Sequence, residues 1–353
     1  MLVREFDFDL PAELIAQEPP AERGTSRLLH LDRGTGAIAH HTVADLPRLL
    51  RKGDLLVVNN TRVFPARLLG RRDPSGGAVE CLLVTRLVPP DAAGAELWEA
   101  LVHPGQKLKP GARVVFGGPV TLHGEILERR FFGRRVVRLW AEDGGPVDRA
   151  VDAIGHIPLP PYIKRPDAAA DRDRYQTVFA QTRGSIAAPT AGLHFTPAIL
   201  EALTAAGIQR VEITLHVGYG TFQPIRVDEV EAHRMETEHF EVSEAAATAI
   251  NAALDEGRRV VAVGTTTTRT LESIGRAHGG RIEPGRGSTD LFIYPGFEFR
   301  ILGGLFTNFH LPQSSLLMLV SAFAGRDHVL NAYREAVAHR YRFYSYGDAM
   351  LIG

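Results

Sequence analysis

Residues 243–276, SEAAATAINAALDEGRRVVAVGTTTTRTLESIGR, decide the fold class. Ser243 opens a helix with a hydroxyl suited to capping, and Gly257 ends it. Val260 to Val263 is a buried strand, and a second helix is predicted over Thr268 to Arg276. The pattern continues upstream. Thr196-Pro197 pairs a capping hydroxyl with a first-turn proline and starts a helix that runs to Ala206, where Gly207 supplies a left-handed stop. Val211 to Leu215 then alternates as a strand. Strand and helix in alternation argue for a layered α/β domain.

The first sixty residues have the same texture. LPAELIAQEP (10–19) reads as a short helix stopped by Pro19 and Pro20, Leu46 to Leu50 as a helical turn, and Leu55 to Val58 as an apolar strand running into Asn59, Asn60 and Thr61. Between Ala66 and Ala150 the texture changes. Short runs such as VECLLV, ELWEALV, ARVVF and RRVVRLW are punctuated by glycine and proline, the signature of a small all-β barrel. The expected architecture is therefore α/β: a layered domain of residues 1–65 and 151–353, interrupted by a barrel-like insert, 66–150.

The chain has 353 residues, 44% hydrophobic and 23% charged, ordinary for a soluble protein of two or three domains. Cys81 is the single cysteine and lies in an apolar run, so it reads as a core thiol. Glu5, Asp7 and Asp9 stand where a leader needs an apolar run, and the longest apolar stretch, Leu316 to Ala324, is about half a membrane span. A cytoplasmic monomer without a membrane segment is expected. A net charge of −1 argues against a tight, indiscriminate polyanion binder but leaves room for a local basic face.

Several polar turns follow apolar elements. Thr289 to Gly325 combines an apolar strand (LFIYP), a Pro-Gly turn, a loop with Asn308 and His310, and an apolar helix. His216 follows the Val211–Leu215 strand and precedes Gly218 and Gly220, where ligands of open α/β sheets bind. Thr265 to Thr268 and Arg269 lie at a helix start, a natural seat for a carboxylate or phosphate. Thr190, His194 and Phe195 form a polar turn with an aromatic beside it. In HRMETEHFEV (233–242) the two histidines are six apart, which misses a helix face, so no metal is expected.

Taken together, FDFDLPAELIAQEP, SRLL, NNTRVFPARL, PLPPYIKR, YQTVFA, AAPTAGLHFT, HVGYGTFQPIR, GTTTTRTLES, TDLFIYPGFEF, LLMLVSAFAG and YRFYSYGDAMLI resemble the S-adenosylmethionine:tRNA ribosyltransferase-isomerase (QueA) family of queuosine biosynthesis. The chain departs from that pattern at Tyr219, at Glu236 and at Thr267–Thr268. The resemblance implies transfer and isomerisation of the ribosyl part of S-adenosylmethionine onto 7-aminomethyl-7-deazaguanine at the tRNA wobble position. S-adenosylmethionine is then a consumed co-substrate, with no further cofactor, and the partner is the tRNA anticodon loop. On this resemblance His194, His216, Glu238 and His310 are the acid–base candidates. Arg226, Arg269, Thr265 and Thr266 can seat a carboxylate. Phe195, Tyr219 or Phe222 can stack on a base. Thr190, Gly218, Gly220, Thr221 and Asn308 complete the expected site. A conventional S-adenosylmethionine-dependent tRNA methyltransferase and a noncatalytic RNA-binding protein are the competing classes.

Overall fold

All five residues of Leu55–Asn59 are buried, so this segment must lie inside a sheet covered on both faces. A computed structural model of the protein describes residues 1–92, 94–218, 220 and 225–353, with the backbone alone of Phe132. Two compact units result. One comprises Met1–Arg62, Pro160–Arg165 and Arg174–Gly353; the other comprises Val63–Leu159 and Pro166–Asp173.

The first unit begins with strands β1 (Arg27–Leu31) and β2 (Ile38–Thr42), helix α1 (Leu46–Leu49), strand β3 (Leu55–Asn59) and the short β4 (Thr61–Val63). The second unit holds strands β5 (Arg67–Asp73), β6 (Ala78–Val88), β7 (Glu96–His103), β8 (Arg113–Phe116), β9 (Leu122–Arg129) and β10 (Arg134–Ala141), followed by helix α2 (Val147–Ile154). After α3 (Asp171–Arg174) and β11 (Thr182–Ser185) come α4 (Pro197–Ala205), β12 (Gln209–Leu215), β13 (Glu238–Val242), α5 (Glu244–Asp255), β14 (Val260–Val263) and α6 (Thr265–Ala277). The chain continues with β15 (Gly285–Thr289), β16 (Gly304–Asn308), α7 (Ser315–Ala324), α8 (Arg326–Ala338) and β17 (Ala349–Ile352).

Nine strands form the sheet of the first unit in the order β15-β13-β12-β3-β14-β16-β17-β1-β2. At its centre β12, β3, β14 and β16 run parallel, so their carboxyl ends share one edge. Strand alternation divides the core. Leu55 and Val57 face a cluster with residues of α5 to α8, while Leu56 and Val58 face a second cluster with residues of α1 and α4. The result is a three-layer α/β/α unit. Local chemistry sets the helix starts. The Thr196 hydroxyl accepts from Ile199 N at 3.1 Å and that of Ser243 from Ala246 N at 3.2 Å, caps that each contribute about 1 kcal/mol.

In the second unit β10-β7-β6-β5-β8-β9 close into a barrel with every pairing antiparallel. Leu68, Cys81, Trp98, Phe116 and Leu139 lie in its core, and Val147, Ala150 and Val151 of α2 join them. Burial pushes the Cys81 thiol up to about 12, so it stays an inert packing group. A side chain at Gly70 would come within 2.4 Å of the Val115 carbonyl, so the barrel wall requires glycine there.

Three sequence expectations are corrected. LPAELIAQEP contains only a 3₁₀ turn, Ala12–Leu14, because the chain beyond it runs extended beside Phe343, with Phe343 N donating to Leu14 O at 2.8 Å and Ala16 N to Phe343 O at 3.2 Å. LFIYP is not a strand. The strand is β15, and its last pair is Glu238 with Thr289; β13 begins at Glu238, so the following residues have no partner to pair with. The helix expected from Thr268 starts at Thr265. Gly264, at φ 90°, turns the chain out of β14, and the hydroxyls of Thr267, Thr268 and Thr270 fold back on the carbonyls of Val263, Gly264 and Thr266. Among the described residues no helix is long and apolar enough to cross a membrane.

One buried carboxylate locks α6 to the chain ahead of β16. Glu272 is fully buried and accepts from the amides of Arg300 (2.9 Å), Ile301 (3.0 Å) and Leu302 (2.9 Å). Glu272→Ala strands three amides without an acceptor, and the expected loss is about 3 kcal/mol or more. Urea unfolding followed by tryptophan-independent far-ultraviolet dichroism measures it; a loss under about 1 kcal/mol would show that the three bonds are replaced by solvent.

Candidate active site

Each carboxyl end of the central parallel strands delivers polar groups to one edge of the sheet. Asn59 ends β3. Its amide nitrogen donates to Leu215 O at 2.9 Å, and its oxygen accepts from Leu215 N and Thr61 N, both at 3.1 Å. That clamp joins the ends of β3 and β12. β14 ends at Gly264 and the first turn of α6. β16 ends at Asn308, followed by Phe309 and His310. Thr190, Thr265, Thr266, Asn308 and His310 line one cleft here, with Tyr162 and Tyr344 on its wall.

Asn308 is the hub. It is buried; its oxygen accepts from the Thr190 hydroxyl at 3.1 Å, and its amide nitrogen lies 2.9 Å from His194 Nε2 and 3.2 Å from Tyr344 O. His194 therefore acts through Asn308. Its other side meets Phe306 edge-on, and burial, with Arg23 adding repulsion, drops its pKa to about 4. His310 is 5% exposed, and burial lowers its pKa to about 3. Its Nδ1 lies 3.3 Å from the Tyr333 hydroxyl and its Nε2 3.4 Å from that of Thr307. Both imidazoles are neutral at neutral pH.

The amides opening α6 lack helical partners, and Thr265 and Thr266 carry them to the cleft, which makes this a seat for an anionic group. One turn further, Arg269 is 3% exposed. It pairs with the Glu238 carboxylate and donates through Nε to Leu291 O at 2.9 Å, while its Nη2 is buried without a partner. Glu238 also accepts from Gly218 N at 3.0 Å, which holds the backbone that follows Val217.

The remaining expected residues lie elsewhere. The His216 ring turns away from Val217, which lines the cleft, toward Thr61, whose hydroxyl is 2.9 Å from Nδ1; burial lowers its pKa. It packs on Gly184, where any side chain would come within 2.5 Å of the ring. Phe195 is fully buried with its ring against Phe179 and Phe306, so it is core and offers no open face to a base. Gly220 sits against Glu236, and Arg226 is exposed. Thr221, Tyr219 and Phe222 lie outside the described residues.

Sequence reasoning assigned no role to Tyr162, Tyr344 and Ser345. The rings of Tyr162 and Tyr344 lie 3.7 Å apart between centroids, and the Tyr162 hydroxyl bonds to Ser345. Tyr344 holds φ 72°, unusual for an aromatic residue, kept there by its N–H to Phe309 O at 3.0 Å and by Asn308 at its carbonyl. The one signal in the sequence was the crowding of aromatics in YRFYSYGDAMLI.

A family model described as queuosine biosynthesis protein matches residues 3–352. The chain is 51% identical over 352 residues to an S-adenosylmethionine:tRNA ribosyltransferase-isomerase of Desulfitobacterium hafniense, covering 100% of both chains. It is 53% identical over 352 residues to the protein of the same name from Heliobacterium modesticaldum, again covering 100% of both. The crystal structure of an S-adenosylmethionine tRNA ribosyltransferase from Thermotoga maritima is 40% identical, covers 99% of this chain and 100% of its own, and superposes with a TM-score of 0.55. With matches of this length and identity joined to the fold above, the chain belongs to the queuosine biosynthesis protein family.

Proposed function

We propose that the protein is an S-adenosylmethionine:tRNA ribosyltransferase-isomerase. It moves the ribosyl part of S-adenosylmethionine onto 7-aminomethyl-7-deazaguanine at the wobble position of the tRNA anticodon loop. The products are epoxyqueuosine-tRNA, adenine and methionine. It works as a monomer in the cytoplasm, where its tRNA substrate is found, and S-adenosylmethionine is consumed rather than recycled. The discontinuous α/β unit carries the chemistry. The observation that supports this reading most is the Asn308 hub, which joins Thr190, His194 and the Tyr344 loop beside His310 and the first turn of α6.

The reaction sets three requirements. The sulfonium acidifies its neighbouring C5′ proton, so a neutral base must stand near it. His310 is neutral and lines the cleft, and it takes this role. Departing adenine must gain a proton, and the hydroxyls of Thr190 and Thr266 are within the same cleft. The methionine carboxylate needs donors; the α6 amides supply them, with Arg269 one helical turn behind. Neutral imidazoles also avoid repelling the sulfonium charge. The tilted Tyr162–Tyr344 pair offers a flat apolar surface to a heterocycle. Asn308, His194, His216 and Glu238 are positioning residues, which hold the loops that carry these groups.

Free adenine, measured after mixing protein, S-adenosylmethionine and tRNA bearing the aminomethyl base, tests the reading. S-adenosylhomocysteine as product would indicate a methyltransferase, and salt-dependent tRNA binding without product would indicate a binding protein. His310→Ala should slow adenine release by about 10²-fold or more. His216→Ala and Asn308→Ala should each slow it by about 10-fold while the fold is retained. A wild-type rate in His310→Ala would remove it from the proton-transfer role.

Neutral burial of His194 and His310 has a thermodynamic signature. Their pKa values in the fold, about 4 and about 3, lie below the ordinary value of 6.5, so the unfolded chain binds more protons between those limits. Stability from this source is complete above pH 6.5 and is lost as pH falls toward 4. The urea midpoint should therefore drop between pH 6.5 and pH 5, and His310→Gln should show a shallower drop by about one proton. Equal slopes in the two proteins would contradict neutral burial of His310.

A further inference from the structure

Three metal-ligating side chains from distant parts of the chain meet on the surface of the α/β unit. His40 lies on β2, the edge strand of the sheet, while Glu335 and His339 stand one turn apart at the end of α8. One carboxylate oxygen of Glu335 is 2.9 Å from His339 Nε2 and 3.5 Å from His40 Nε2. The two imidazole rings stack with centroids 4.6 Å apart, and one ligand atom from each of the three residues lies within 4.8 Å of the other two.

We propose that His40, Glu335 and His339 bind one divalent transition-metal ion of the zinc class, at a surface site separate from the cleft. Two imidazoles and a carboxylate are a donor set that suits Zn²⁺ and leave a fourth position for water. Bonds of about 2.0–2.1 Å in a tetrahedron hold ligand atoms about 3.3 Å apart. The two N···O separations, 2.9 and 3.5 Å, bracket that spacing. A small rotation of the two exposed rings brings the nitrogens to it.

The surroundings hold these side chains without any help from an ion. The Tyr341 hydroxyl lies 2.8 Å from His40 Nδ1, which occupies that nitrogen and leaves Nε2 facing Glu335. Arg27 Nη1 donates to His339 O at 2.9 Å, and Nη2 donates to Arg340 O, fixing the chain at the end of α8. Arg27 is itself paired with Asp348 at 2.9 Å, which offsets its positive charge, and lies 4.2 Å over the Tyr341 ring. His40, Glu335 and His339 are 37%, 40% and 54% exposed, so an ion can enter from solvent. Bound there, it would tie the edge strand to α8. Tyr341 also packs on Phe309, the residue between Asn308 and His310, at 5.5 Å.

Untagged full-length protein, stripped with a chelator, is titrated with Zn²⁺ by calorimetry and with Co²⁺ by visible absorption, which reports four-coordination. One ion per chain is expected, together with a rise in the thermal midpoint. His40→Ala, His339→Ala and Glu335→Gln should each weaken binding by about 10-fold or more, and Tyr341→Phe by a smaller factor. His278→Ala, an exposed histidine outside the trio, should bind like the wild type. Equal affinity in wild type, His40→Ala and His339→Ala overturns the proposal, as does the absence of heat and spectral change at several-fold excess of both ions.

Discussion

The common direction of β12, β3, β14 and β16 is the constraint on which the rest depends. Parallel strands end on one edge of their sheet, so whatever follows each strand is delivered to the same place. His216, Thr61, Thr265 and Asn308 come from separate parts of the chain, yet each lies at or just past a strand end. Reversing any one strand would send its loop to the opposite edge. The side-chain clamp of Asn59 on both the amide and the carbonyl of Leu215 keeps two of these ends in register. The same logic explains why the cleft is built from loops and a helix start, while the strands beneath it are fully buried.

Charge is arranged around the cleft in a consistent way. The imidazoles that line or support it are neutral through burial. The strong ionic pair, Arg269 with Glu238, stands one helical turn back and holds the backbone of Gly218. A buried ion pair is weak evidence for stability, because desolvation offsets attraction, and its more useful effect is to fix geometry. For the proposed reaction this separation is suitable. A cationic substrate enters a neutral space, and the first turn of α6, which lines it, lies where an anionic end can reach free amides.

Much of the scaffold was legible in the sequence because its signals are local. Thr196, Ser243, Gly207 and Gly257 act within one turn of themselves, and their helices begin and end within a residue or two of the expected places. The barrel strands were visible as short runs between turn residues. What could not be read was anything that depends on a partner far along the chain. LFIYP has the composition of a strand, but no strand lies opposite it. LPAELIAQEP has helical texture, but Phe343 takes its backbone bonds. Phe195 and Tyr344 look equally suitable for stacking in the sequence; only packing sends one into the core and the other to the cleft. His40 and His339 likewise become neighbours only because β2 pairs with β1 and α8 returns across them.

The strand order also bears on how the chain is made. β3 sits between β12 and β14, whose residues are synthesised some 150 or more positions later. β1 has β17 on one side, more than 300 positions later. The barrel, by contrast, pairs strands that follow closely in the chain. On a translating ribosome the barrel can close early, while β1 has only β2 beside it and β3 emerges with neither of its sheet neighbours. Until β14 and β16 have been added, those segments are candidates for chaperone protection. The α/β unit therefore completes its sheet late, after the barrel strands have all been made.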